Sequence, residues 1–270
     1  MRIPVGKLLL LLTLTLPGTA RAIELPDLYK GQAIVTGTQE PERSRGMRLA
    51  LMDVLVKVSG DGKLLDDKTL APVLDRAKDY VIAFDYEDRK KGLKINDEQG
   101  TRDRPFDLRV LFDKTKIDTL LAERGLKPWS AERPQLLTLV VVRFPANSYV
   151  MSADGQLGYA QRLALGDAST RRGVPTLLPS QAALGGAKLG PDQIAKLPAA
   201  ELLKLPTSLG GELPLRGVMV WDDKLPGWRT EWTLVENGHE HRWHDDSPSF
   251  DEAFRRVVQH SAAIFAGLRD

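Results

Sequence analysis

Between residues 41 and 60, apolar side chains return at three- and four-residue steps: Met47, Ala50, Leu51, Val54, Leu55 and Val58. That period puts them on one face of a helix, with Arg43, Arg48, Asp53 and Lys57 on the others. Pro41 suits the first turn, where its missing N–H costs nothing, and Gly60 stops the helix. Alternation of period two marks strands. Ile34 and Val35 lie in one over 29–36; Tyr80, Ile82, Phe84 and Tyr86 share a parity in a second; Phe106, Leu108, Val110 and Phe112 share one in a third. A charged stretch over 87–100 reads as the hairpin tip between the last two. A short helix over 69–77 precedes them. A helix capped by Asp113 and running through Ile117, Leu120 and Leu121 to Gly125 follows. The order strand–helix–helix–strand–strand–helix predicts a small α+β unit, one sheet with helices on one side.

Residues 125–134 hold two prolines and cannot form one regular element, so a boundary is expected there, with Trp129 wedged between the two units. The run 136–144 is β-branched and apolar on both parities, which predicts a central strand covered on both faces. Beyond it the pattern predicts a helix over 156–172, a short strand over 174–178, and two short helices at 191–196 and 199–205. A meander follows over 215–221, 228–236 and 240–244. Asn237-Gly238 is the strongest turn signal in the chain. Ser249 and Glu252 form a capping box for a final helix whose face is Phe250, Phe254, Val257, Ile264 and Leu268. The expected fold class is α+β: two small domains, each a mostly antiparallel sheet with helices packed on one side. The expected boundaries are 23–126, a linker 127–134, and 135–270.

Residues 1–22 change the picture. Arg2 and Lys7, an apolar run over 8–16 and Ala20-Arg21-Ala22 are the three parts of a cleavable export signal, with cleavage before Ile23. The run is shorter than the roughly 20 residues that span a bilayer. No transmembrane segment is expected once it is removed. The loss of Arg2, Lys7 and Arg21 turns 38 basic and 36 acidic residues into 35 and 36. The basic excess therefore belongs to the signal, and no nucleic-acid partner is expected. There is no cysteine. That excludes disulfides, thiolate metal sites, a cysteine nucleophile and a lipid-anchored N-terminus, and it suits a soluble protein of the bacterial periplasm.

Three segments carry a family resemblance: the helix from Arg45 to its Ser59-Gly60 end, the linker with Pro128-Trp129 and Arg133-Pro134, and Arg172-Gly173-Val174-Pro175. Together they resemble a secreted proteobacterial family known as domain of unknown function number two thousand and sixty-six. The chain departs from it at 139–142, where a Trp-bearing pattern is expected, and over 181–211. The resemblance implies an envelope compartment and an architecture, and brings no catalytic residues. At the level of element order, the first unit is similar to small periplasmic α+β modules of flagellar and envelope assembly proteins. The second is similar to the anticodon-binding-like domain of envelope proteins of the Tol and curli systems.

Candidate chemistry is sparse. His239, His241 and His244 fall within six residues, ahead of Asp245 and Asp246. On a strand, 239 and 241 share a side and can share a zinc or copper ion, whereas 244 has the opposite parity. The plainer reading is a polar hairpin edge. Trp228 and Trp232 share a strand face; exposed, they form a platform for a partner or a glycan, and covered, they pack on the last helix. Asp85, Glu87 and Asp88, with Asp222 and Asp223, read as solvated turns, because adjacent strand residues point apart. There is no nucleophile elbow, no serine paired with His260, and no glycine-rich phosphate loop. The pattern calls for no cofactor and no enzyme. It points to a non-enzymatic periplasmic interaction or scaffolding protein with an envelope protein as partner. Metal binding by the histidines and glycan or peptidoglycan binding by the tryptophans are the alternatives. Neither the partner's identity nor the oligomeric state is written in the sequence.

Overall fold

The computed structural model of the chain describes residues 23–24, 28–92, 104–129, 132–224 and 226–268. The export signal expected over 1–22 and much of the hairpin tip expected over 87–100 lie outside the described residues. The chain is α+β, with largely antiparallel sheets.

The first half holds β2 (Lys30–Thr36), α1 (Glu42–Ser59), α2 (Ala71–Leu74), β3 (Val81–Asp88), β4 (Pro105–Phe112) and α3 (Lys114–Ala122). The strands form an antiparallel sheet in the order β2-β4-β3. Helix α1 covers one face. Val35 and Leu108 of the sheet, Leu51 and Val54 of α1, and Ile117 of α3 are buried in one core. The helix starts where Glu42 Oε2 accepts hydrogen bonds from the Thr36 N–H and hydroxyl, both at 2.9 Å. It ends at Gly60, whose φ of 76° is open to glycine at little cost. Gly31 lets α1 settle on β2: a Cβ there would stand 2.5 Å from the Ala50 carbonyl oxygen.

A small ladder of β1 (Ile23–Glu24) and β5 (Glu132–Arg133) ties the start of the described chain to the linker. The second half contains β6 (Leu136–Arg143), β7 (Ser148–Val150), α4 (Tyr159–Arg172) and β8 (Thr176–Leu177). Four short helices follow: α5 (Gln181–Gly186), α6 (Pro191–Ala195), α7 (Ala199–Leu202) and α8 (Leu205–Leu209). The meander β9 (Leu213–Asp222), β10 (Gly227–Glu236) and β11 (His239–Ser247) leads into α9 (Phe250–Phe265). The sheet runs β11-β10-β9-β6-β7, with β8 also beside β6. Strand β6 is parallel to β8 and β9, which requires the long crossover that carries α4 to α8.

The central strand behaves as its composition predicts. Leu136, Val140 and Val142 pack beneath α4 and α9, while Leu137, Leu139 and Val141 meet the short helices on the other side. The second half therefore adds a helical layer on its other face to the one-sided packing expected from the sequence. Residues 181–211 hold four short helices where the pattern suggests two. Their turns are too short for a periodic signal. The capping box is half made: Ser249 Oγ accepts from the Glu252 N–H at 3.2 Å, but the Glu252 carboxylate turns to Arg255 and Arg256. Among the described residues, no helix is long and apolar enough to cross a membrane.

Two outcomes follow from these contacts. Gly31→Ala forces β2 and α1 apart and is expected to lower unfolding free energy by about 1–3 kcal/mol in urea titration; an unchanged midpoint would mean that the helix has room. The Arg45 guanidinium, with the Thr36 donors, holds the Glu42 carboxyl at about 2, against an ordinary 4.5. A depressed folded-state pKa gives stability that is whole above 4.5 and is lost as pH falls toward 2. Glu42→Gln is therefore expected to flatten the fall of the thermal midpoint across that window, and an equally steep fall would remove Glu42 as its source.

Candidate functional site

The site is built around the end of α1. The last carbonyls of a helix have no helical donor. Here donors from the linker and the second half supply them. Trp129 Nε1 and Arg133 Nη2 donate to the Lys57 oxygen at 3.2 and 2.9 Å. The Trp129 N–H donates to Val58 at 3.1 Å, and Gln259 Nε2 donates to Gly60 at 2.9 Å. Arg133 also donates from Nη1 to the oxygens of Arg172 and Gly173, at 3.1 and 2.9 Å, where α4 ends. Its guanidinium lies 3.6 Å from the centre of the Trp129 ring. One fully buried cation thus joins the negative ends of two helices, one from each half. Burial pushes the Arg133 pKa down to about 9, which still leaves it charged at neutral pH.

A second tie runs beside it. Asp53 of α1 receives Arg171 Nη1 at 2.6 Å and Arg172 Nη1 at 3.0 Å. Burial works against the Arg171 charge, and Asp53 and Asp167 more than offset it, so its pKa rises.

These ties shape a groove of about 680 Å3, within the range of small-molecule and peptide sites. Its floor is the sheet face turned away from α1, with Gln32, Ala83, Arg109 and Leu111. Asp53, Lys57 and Arg171 form the wall on the far side of β2. On the floor, Arg109 donates to Asp85 at 2.7 Å and to Glu87 at 2.9 Å, and these bonds raise its pKa. The groove surface is patterned with cross-strand charge pairs.

The two edges of this sheet differ. On β2, Lys57 Nζ donates to the Lys30 oxygen at 2.7 Å and Arg45 Nη2 to the Ile34 oxygen at 3.0 Å. With Glu42 on the Thr36 N–H, side chains guard that edge. Strand β3 pairs only with β4 among the described residues. The Arg89 N–H bonds Pro105, which fixes the alternation as far as Ala83, so the main-chain groups of Phe84 and Tyr86 face outward; the register shifts between Val81 and Ala83, at Ile82. Ile82 is 62% exposed and Phe84 43%. The edge of β11, by contrast, carries exposed His239, Glu240 and Arg242.

The residues singled out from sequence fall elsewhere. His239 and His241 lie on the α9 side of β11, paired with Glu236 and Leu234, and His244 points to the opposite side opposite Glu231. Among the described residues, no three His, Asp or Glu side chains gather closely enough to hold a metal ion. The zinc or copper set expected from sequence is thus not assembled: strand parity puts His244 on the other side, and Asp245, which shares the side of His239 and His241, is held by Ser247 and Arg256. Trp228 and Trp232 are 4% and 1% exposed, which corrects their reading as a partner or glycan platform. Trp232 lies against Phe254 of α9, and its ring covers Gly217 on the neighbouring strand, where a Cβ would collide with it. Trp228 packs edge-on to Phe144 and Trp221. Asp85 and Glu87 are bound to Arg109, Asp88 to Arg104, and Asp222 and Asp223 cap the turn after β9 through Lys224 and Trp221. Asp53, Arg133, Arg171 and Arg172 were not legible as a set. The one signal was a linker arginine close to a tryptophan and followed by proline.

Residues 22–130 match a family described as a domain of unknown function (DUF8605). This corrects the resemblance drawn from sequence, which named a different domain of unknown function. Of the three segments that carried it, the α1 helix lies inside the match, and an amphipathic helix closed by Ser-Gly is a packing solution open to unrelated families. No curated protein matches the chain. A solved structure described as the crystal structure of an uncharacterized protein is similar at 10% identity and a TM-score of 0.22, over 50% of this chain and 90% of that one. At that score the likeness carries no argument.

Asp53→Asn leaves Arg171 and the more buried Arg172 facing a neutral side chain. It is expected to lower the unfolding free energy by about 3 kcal/mol, the loss typical of one partner of a buried pair. A change below about 0.5 kcal/mol would place the tie among exposed surface pairs.

Proposed function

We propose that the chain is a non-enzymatic interaction protein of the bacterial cell envelope, exported to the periplasm and docking a protein partner along β3. In this reading 1–22 is the export signal and residues 23–126 and 135–270 are its two domains. The observation that carries it is the contrast between edges: β2 is closed by Lys57, Arg45 and Glu42, whereas β3 turns the main chain of Phe84 and Tyr86 outward beside the exposed side chains of Ile82 and Phe84. Such an edge is a template for strand addition, in which main-chain bonds give affinity and alternate side chains give specificity. The signal-like pattern of residues 1–22 supports the periplasmic half of the reading.

The export half of the reading is tested by osmotic-shock fractionation and N-terminal sequencing. A periplasmic chain beginning at Ile23 is expected, and a cytoplasmic chain retaining 1–22 would contradict it. The docking half is tested with a photo-crosslinking residue at position 82. One envelope protein is expected in the adduct. The purified pair is then expected to lose affinity at least tenfold with Phe84→Lys and to keep it with Leu203→Lys, an exposed leucine in the second half. Equal binding by all three chains, or a hydrolytic activity abolished by one substitution, would overturn it.

A further inference from the structure

We propose that a second cavity, at the seam between the turn Gly62–Asp66 and α9, binds a small oxyanion. It encloses about 380 Å3. Lys63 enters from the turn, Arg255 and Arg256 from α9, and Arg172 from the end of α4. Against these four cations the wall offers two carboxylates, Asp61 and Glu252. Glu252 is shared by Arg255 and Arg256, and Asp61 Oδ1 already accepts the Lys63 main-chain N–H at 2.9 Å. The Lys63 ammonium has no partner among the described residues, and Arg255 has Glu252 alone. Arg172 is held by Asp53 and Arg256 also by Asp245, so the donors left for a ligand are the Lys63 ammonium and the remaining nitrogens of Arg255. An exposed ammonium and the free nitrogens of a guanidinium are the pair that a carboxylate or phosphate engages with charge-assisted bonds.

A separate observation falls at the same place. Three buried side-chain polar atoms lack a hydrogen-bond partner among the described residues, and two of them, Arg172 Nε and Gln259 Oε1, belong to residues that line this cavity. Buried polar groups are ordinarily satisfied, so the orphan Arg172 Nε adds an unmatched donor behind the cavity, whereas Gln259 Oε1, an acceptor, offers an oxyanion nothing. Both atoms are sealed behind the surface, which makes Lys63 and Arg255 the first contacts. Leu65, Ala263 and Leu268 give the cavity an apolar flank, which leaves room for the organic part of a carboxylic acid or phosphoester beside the oxyanion itself. This site is independent of the β3 edge.

The test is calorimetric titration of the full chain with inorganic phosphate and, separately, with acetate, at constant ionic strength. One site per chain is expected for at least one of them. Affinity is expected to fall at least tenfold in Lys63→Ala and in Arg255→Ala, and to be unchanged in Lys78→Ala, an exposed cation elsewhere. All three replaced residues are exposed, so circular dichroism is expected to show retained folds. No binding of either titrant, or binding indifferent to Lys63 and Arg255, would overturn the proposal.

Discussion

The structure depends on how the carbonyl end of α1 is satisfied. A helix that ends inside a protein needs donors for its last oxygens, and an arginine taken out of water needs acceptors for its charge. Each need is the other's answer here. Arg133 donates to Lys57 at the end of α1 and to Arg172 and Gly173 at the end of α4, while Trp129 covers its face and bonds the same Lys57 oxygen. Leaving the cation unpaired, or the carbonyls unmet, would be expensive in a dry interior. The two helices are thereby held with their ends together. The Asp53 tie to Arg171 and Arg172 repeats the connection through side chains.

That joint explains why both cavities occur where they do. The groove over the first sheet is walled by α1 and by Arg171 of α4, whose relative positions the joint sets. The seam cavity uses Arg172 from the same turn of α4 and Gln259, whose amide bonds Gly60 just past α1. Gly60 itself cannot carry a side chain, since a Cβ would stand 2.7 Å from that of Ala266. Close approach of backbone at this glycine lets the end of α9 reach the end of α1. The β3 edge lies on the far side of the first sheet from guarded β2, so the two sheet edges play different parts.

What was legible in the sequence is what short-range physics specifies. The period of α1, the two-sided apolar run of β6 and the Ser249 cap of α9 are local, and all three are present. The Asn237-Gly238 turn is as well, with φ of 49° and 77°, the pair of positive values that a tight hairpin demands. Of the short helices, α6 and α7 fall where the pattern puts them, at 191–196 and 199–205, whereas α5 and α8 escaped because a single turn has no period to read. The burial of Trp228 and Trp232 depends on where α9 lands, which their strand parity does not say. The joint escaped for a plainer reason: Arg133 meets Lys57 across 76 residues, and Gln259 meets Gly60 across 199. Asp53 and Lys57 sat on the polar side of an amphipathic helix, where a solvent-facing residue and one waiting for another part of the chain look alike.

The most direct test of this account is native-state hydrogen exchange, read separately on the amides of β4 and of β6. If the end of α1 joins the halves, both strands exchange through one opening of the same free energy in the wild-type chain, and Arg133→Met separates them into two. Different opening energies for β4 and β6 already in the wild-type chain would contradict it.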